Sequence, residues 1–190
     1  MDKQVDLIKP ATGKVLVAEP FMMDPHFKRT VVLLADHHSE EGTVGFILNK
    51  KTALKINEVT SDFGDFEADV YYGGPVDINS MYFIHNAGEL LEDSIQICKG
   101  VYWSGNYEKL KVLIDCKLIL ASNIRFYIGY SGWTEGQLEE ELKDPSWIVA
   151  DMDANFVFKI DPEKLWKDIL DIKGYHYSAI SQIEGDELMN

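Results

Sequence analysis

Apolar residues fall in short runs broken by polar, glycine or proline punctuation, a pattern that predicts many strands and few helices. Lys14-Val15-Leu16-Val17-Ala18 follows a turn at Pro10 to Gly13, and Thr30 to Ala35 is a second run, richer in β-branched residues. Both predict buried strands. Thr43 to Asn49 comes after the polar turn His38 to Gly42, and this spacing predicts a hairpin with Thr30 to Ala35. Gly45 inside it predicts a bulge or a close backbone approach. Between the first two runs, Glu19 to Phe27 holds two prolines and no steady period, so it reads as an apolar loop with at most one helical turn.

Further on, Lys55 to Thr60 predicts a short helix, and Asp62, Asp65, Glu67 and Asp69 an exposed acidic connection. Val70-Tyr71-Tyr72 predicts a strand that ends at the turn Gly73-Gly74-Pro75-Val76, and Met81 to Ile84 restarts an extended run. Ile95 to Cys98 alternates as an edge strand does. From Asn106 to Leu118 the period changes, placing Tyr107, Leu110, Leu113, Ile114 and Leu118 on one helical face.

A strand beginning near Ile124 then enters Gly129-Tyr130-Ser131-Gly132-Trp133-Thr134-Glu135-Gly136-Gln137-Leu138, which predicts a glycine corner leading into a helix. Thr134 and Gln137 have the spacing of a capping box, and Trp133 with Leu138 that of a hydrophobic staple. Leu138 and Leu142 are expected inward, Glu139, Glu140 and Glu141 largely outward, with Pro145 ending the helix. Trp147 to Ala150 and Phe156 to Phe158 predict late strands. Asp161-Pro162 opens a last helix with Leu165, Trp166, Ile169 and Leu170 inward.

The ordered core is expected over about residues 14–174, with 175–190 a loosely attached tail. With no repeat and no linker, the pattern predicts one compact domain of the α/β (α+β) class: a mixed β-sheet or partly closed barrel flanked by about four helices.

Composition narrows the function. A formal net charge of -14 opposes phosphate backbones, and direct nucleic-acid binding is not expected. Lys28-Arg29 and Lys50-Lys51 are the only adjacent basic pairs, and they read as solvated surface. No apolar run approaches the roughly 20 residues of a membrane span. Cys98 and Cys116 form neither a CxxC pair nor a disulfide framework, and no signal peptide opens the sequence, so the expected compartment is the cytoplasm.

Four segments in order, Val15 to Asn49 with Glu19-Pro20 and Asp24-Pro25-His26-Phe27, Gly73-Gly74-Pro75-Val76, Gly129 to Leu138, and Trp147-Ile148-Val149-Ala150, resemble the YqgE/AlgH family. The resemblance implies a bacterial, cytosolic protein of mixed α/β fold with a barrel-like sheet. It also implies a regulatory role, since members are labelled transcriptional regulators on genetic grounds. The sequence departs from the common pattern at Ala35, where many members carry Cys, and at Ser131, where many carry Ala. No role built on that cysteine carries over.

Candidate chemistry is sparse. Gly129-x-Ser131-Gly132 at a strand-to-helix corner is similar to a hydrolase nucleophile elbow, with Asp151 or Asp153 and His176 following in the matching order; Trp133, however, fills the position of the second glycine. The same corner offers helix N–H groups to an anion, but Glu135 competes for them. Asp151 to Asn155 begins like a calcium loop and fails at Phe156 and Pro162. Thr12-Gly13-Lys14 lacks the remaining residues of a phosphate loop, and His37 and His38 on one strand point to opposite faces.

No cofactor and no metal are therefore expected. The remaining candidate for a ligand or partner surface gathers the loop residues Asp24, Pro25 and Phe27 with Asn49, Gly73, Gly74, Pro75, Ser131, Gly132, Trp133, Gly136 and Gln137. The leading expectation is a regulatory or accessory protein acting through an unidentified protein or small ligand. The alternative is a small-molecule hydrolase using the Gly129 to Gln137 corner.

Overall fold

β1 (Lys14–Ala18), β2 (Val31–His38) and β3 (Gly42–Ile47) are near-continuous apolar runs because both of their faces are covered. Alternate side chains go to opposite sides: Val15, Val17, Val31, Leu33 and Phe46 enter one core, while Leu16, Ala18, Val32, Leu34 and Ile47 enter another. The computed structural model describes residues 9–144 and 146–173. The expected tail, Pro145 and His176 lie outside them.

Among the described residues there are ten strands in one curled, mostly antiparallel sheet, with the order β10-β1-β2-β3-β9-β6-β8-β7. Its later members are β4 (Lys51–Lys55), β5 (Asp69–Tyr72), β6 (Val76–His85), β7 (Ile95–Cys98), β8 (Val101–Trp103), β9 (Ile124–Trp133) and β10 (Trp147–Asp151). β4 pairs with β5, and β5 runs parallel to β9, which makes the sheet mixed. Five helices accompany it: α1 (Ile56–Val59), α2 (Tyr107–Asp115), α3 (Gln137–Glu141), α4 (Asn155–Phe158) and α5 (Pro162–Lys173), with a 3₁₀ turn at Ser61–Phe63. The architecture is a half-barrel in a single mixed α/β domain.

α5 puts Leu165, Trp166, Ile169 and Leu170 against the β1–β2 core, and the Trp166 indole donates to the Ala18 carbonyl at 2.8 Å. Leu110, Leu113 and Ile114 of α2 join Ile56, Phe63 and Phe126 in a separate cluster. The β2–β3 hairpin forms as expected, with Ala35 as the extra bulged residue beside the Leu34–Gly45 pair. A Cβ on Gly45 would stand 2.7 Å from Val32 Cγ1 and 2.9 Å from the Leu33 carbonyl oxygen, so only glycine fits.

Several expectations need correcting. Gly129 to Trp133 is no corner: β9 runs straight through it, and the helix begins only at Gln137. The Gln137 side chain still accepts from the Thr134 amide at 3.0 Å, which is half of the expected box. Phe156-Val157-Phe158 is part of α4, not a strand.

Leu118 is 57% exposed, because Lys117 takes a left-handed φ of 58° and closes α2 before it. Lys51 is exposed, as expected of a solvated surface, and begins β4. Asp69, expected in an exposed connection, begins β5 and holds Lys51 at 2.8 Å and Lys55 at 2.5 Å. Glu141, expected outward, is half-buried at the edge of α3.

Candidate functional site

The two glycine motifs explain each other. β5 lies along β9 on the edge that β3 also uses, whereas β6 lies along the opposite edge. The chain must therefore cross over β9 between Tyr72 and Val76, and it does so backbone against backbone. A Cβ on Gly73 would stand 2.2 Å from the Gly129 carbonyl oxygen, and one on Gly74 would stand 2.3 Å from that of Tyr130. Glycine is needed here for packing, and both residues are buried; Pro75 beside them is exposed.

Ser131 is fully buried in β9 at this crossing, and its hydroxyl donates to the Gly73 carbonyl at 3.0 Å. A nucleophile elbow needs an exposed hydroxyl at a strand-to-helix turn. Ser131 has neither feature.

Trp133 ends β9 at 5% exposure and packs in one cluster with Leu138, its expected partner, and with Trp147. Its indole donates to Glu141 Oε2 at 2.9 Å, and the Trp147 indole donates to the same oxygen at 2.9 Å. A single carboxylate thus satisfies two buried donors and ties α3 to two strands. Gln137 Nε2 donates to the other oxygen of Glu141 at 3.0 Å, so Gln137 is spent on this network, and Gly136 serves α3 as its left-handed N-cap (φ 70°).

The loop from Glu19 to Arg29 is a strap over this cluster. Phe27 stacks on Trp133 at 6.0 Å and meets Trp147 edge-on at 5.3 Å between ring centroids. Asp24 accepts from the His26 amide at 2.7 Å, closing a local turn beside Pro25. Asn49 pins the base: its Oδ1 accepts from the Val31 amide and its Nδ2 donates to the Arg29 carbonyl, each at 2.8 Å. Lys50 clamps the crest, donating to the Pro25 and His26 carbonyls at 2.9 Å each, and His26 Nδ1 lies 2.9 Å from the Tyr72 hydroxyl.

Burial lowers the Lys50 pKa, against the opposing pull of the Asp24 carboxylate. Phe21 and Met23 point away from all of this, 57% and 87% exposed. The strap is both lid and display: Met22 and Phe27 pack beneath it, while Phe21 and Met23 stay in water.

The structure therefore joins Asp24, Pro25, Phe27, Asn49 and Trp133 in one assembly, and Gly73, Gly74 and Ser131 in the strand crossing. Gly132 borders a separate shallow groove of about 440 Å³ that also touches Asp36, His38, Thr43 and Tyr130. As their strand positions predict, His37 and His38 diverge: His37 Nδ1 lies 2.7 Å from Thr43 Oγ1, and His38 lies 3.2 Å from Asp36. No cluster of three or more metal-ligating side chains occurs among the described residues.

Sequence reasoning missed Glu141, Lys50 and Tyr72. The need for an acceptor could be read from two buried indoles, but which carboxylate meets it is decided by the fold.

Fold and site together define a curled-sheet α/β domain whose glycine motifs interlock strands and whose strap is clamped over a tryptophan pair. The chain belongs to the AlgH-like family, whose model matches residues 15–178. It is 41% identical over 179 residues to a UPF0301 protein of Cytophaga hutchinsonii, covering 94% of this chain and 98% of that protein. To a UPF0301 protein of Chlorobaculum tepidum it is 37% identical over 181 residues, covering 95% of each.

The solution structure of AlgH from Pseudomonas aeruginosa is similar, with a TM-score of 0.71 and 25% identity over 94% of this chain and 99% of that one. A crystal structure of a Corynebacterium diphtheriae protein shares the fold with a TM-score of 0.77 and 23% identity, covering 93% and 94% of the two chains. Among the described residues no helix is long and apolar enough to cross a membrane.

Proposed function

We propose that this protein is a bacterial cytoplasmic regulatory or accessory protein that acts by holding a protein partner on its strap, so that any influence on transcription is indirect. The observation that supports it is the split character of the strap. Phe27, Asn49 and Lys50 fix its backbone, and that fixed backbone holds Phe21 and Met23 out in water. Apolar side chains on a pre-ordered loop lose little conformational freedom on docking, which suits recognition. The hydrolase alternative has no comparable support, since Ser131 is buried with its hydroxyl bonded to Gly73.

The test is paired. A tagged wild-type chain is expected to copurify one defined protein, and Phe21→Ser with Met23→Ser is expected to lose it at an unchanged melting temperature. Retention of that protein by the double variant refutes the strap as the docking surface. A fluorophosphonate serine probe that labels the wild type and not Ser131→Ala would restore the enzyme.

A further inference from the structure

On the far side of Lys50 from the strap, a cleft of about 590 Å³ opens between the β3–β4 connection and the start of α5. Its walls carry opposite charge. On the sheet side stand Lys50 and Lys51, with Asp69 and Tyr71 behind them; on the helix side stand Asp161 and Glu163. We propose that this cleft binds a small zwitterion of the amino-acid or short-peptide class, its carboxylate toward Lys50 and Lys51 and its ammonium toward Asp161 and Glu163.

The sheet wall keeps a positive excess although Asp69 lies within it. Asp69 is shared by Lys51 and Lys55, one carboxylate between two ammonium groups. Lys50 gives two N–H groups to the Pro25 and His26 carbonyls and, as an ammonium with three donors, keeps one for a ligand. The Arg125 guanidinium, 4.6 Å from the Tyr71 ring centre, adds a further positive charge behind this wall.

The helix wall is steadily negative. Asp161 accepts from the Glu163 amide at 3.1 Å, and both carboxylates stand at the N-terminal end of a 12-residue helix. A simple anion entering the cleft meets Asp161 and Glu163, and a simple cation meets Lys50 and Lys51. Only a ligand carrying both charges is complementary to each wall, and like-charge contact rejects the others.

The experiment is calorimetric titration of the full chain with the dipeptide Ala-Ala, its N-acetyl form, its C-terminal amide and inorganic phosphate. Ala-Ala is expected to bind saturably, and each blocked form to bind at least about tenfold more weakly, a loss of about 1.4 kcal/mol per charge removed. Glu163→Gln, at an exposed position, is expected to weaken Ala-Ala by a similar factor with unchanged melting, and Lys51→Gln to weaken it by a similar factor. Absence of saturable Ala-Ala binding overturns the proposal. So does equal binding of the blocked dipeptides, or phosphate binding as tight as Ala-Ala, because only one wall would then be read.

Discussion

Trp133 meets two demands at once: its ring fills the space between Phe27, Leu138 and Trp147, and its N–H needs an acceptor, which Glu141 supplies. Removing the ring leaves a cavity under the strap and strips Glu141 of one donor. Trp133→Ala is therefore expected to cost about 3–5 kcal/mol, a large share of a typical domain's stability. For a chain of this length that corresponds to a fall in melting temperature of about 6–20 °C. A fall of only a degree or two in a thermal melt beside wild type would show that Trp133 is dispensable for packing. The Trp133–Leu138 contact is legible in the sequence from its spacing, although the N-cap is Gly136 and not the expected Thr134. The indole's acceptor is not, since the pattern places Glu141 on the outer face and only the fold brings Trp147 to the same carboxylate.

At the scale of elements, sequence reading succeeds where a run has one unambiguous period and fails where neighbours decide. α5 reads directly from its apolar stripe, and β1 to β3 from their continuous apolar character. β4 does not, since Lys51-Thr52-Ala53-Leu54-Lys55 carries three residues that strands disfavour, and it is held by pairing with β5. Gly129 to Gly132 is ambiguous for a different reason: glycine marks a turn or a close approach equally well, and the approaching chain, Gly74 to Ile78, lies far away in sequence.

The β4–β5 pair also carries a titratable clamp. Burial alone would raise the Asp69 pKa, but hydrogen bonds and charges from Lys51 and Lys55 outweigh it and hold the carboxyl below its ordinary 3.8. The folded chain then binds this proton less readily than the unfolded chain does. The clamp's stabilisation is present above the ordinary value and is lost as pH falls through the depressed one. Urea unfolding across a pH series is expected to show the wild type losing stability more steeply than Asp69→Asn in that acid window. Parallel acid limbs for the two proteins would mean that the lysine clamp contributes nothing.

At the scale of the whole molecule, 32 acidic residues against 18 basic ones set the long-range field, and the fold does little to segregate the minority charge. The basic group that the sheet does gather, Lys50, Lys51, Lys55 and Arg125, borders clefts that also contain Asp69, Glu67, Asp161 and Glu163. Lys50 is moreover turned onto the strap carbonyls, and Lys51 and Lys55 onto Asp69. Duplex DNA draws most of its nonspecific affinity from cations that displace counterions along consecutive phosphates. A short basic group interleaved with carboxylates cannot line up along consecutive phosphates, and beyond a Debye length of about 8 Å at physiological salt no distant lysine compensates. The purified chain is therefore expected to leave duplex DNA unshifted in a mobility assay at physiological ionic strength. A footprint that persists at that salt and disappears in Lys50→Gln with Lys51→Gln would overturn this, and would make these lysines a contact surface despite their place in the clamp.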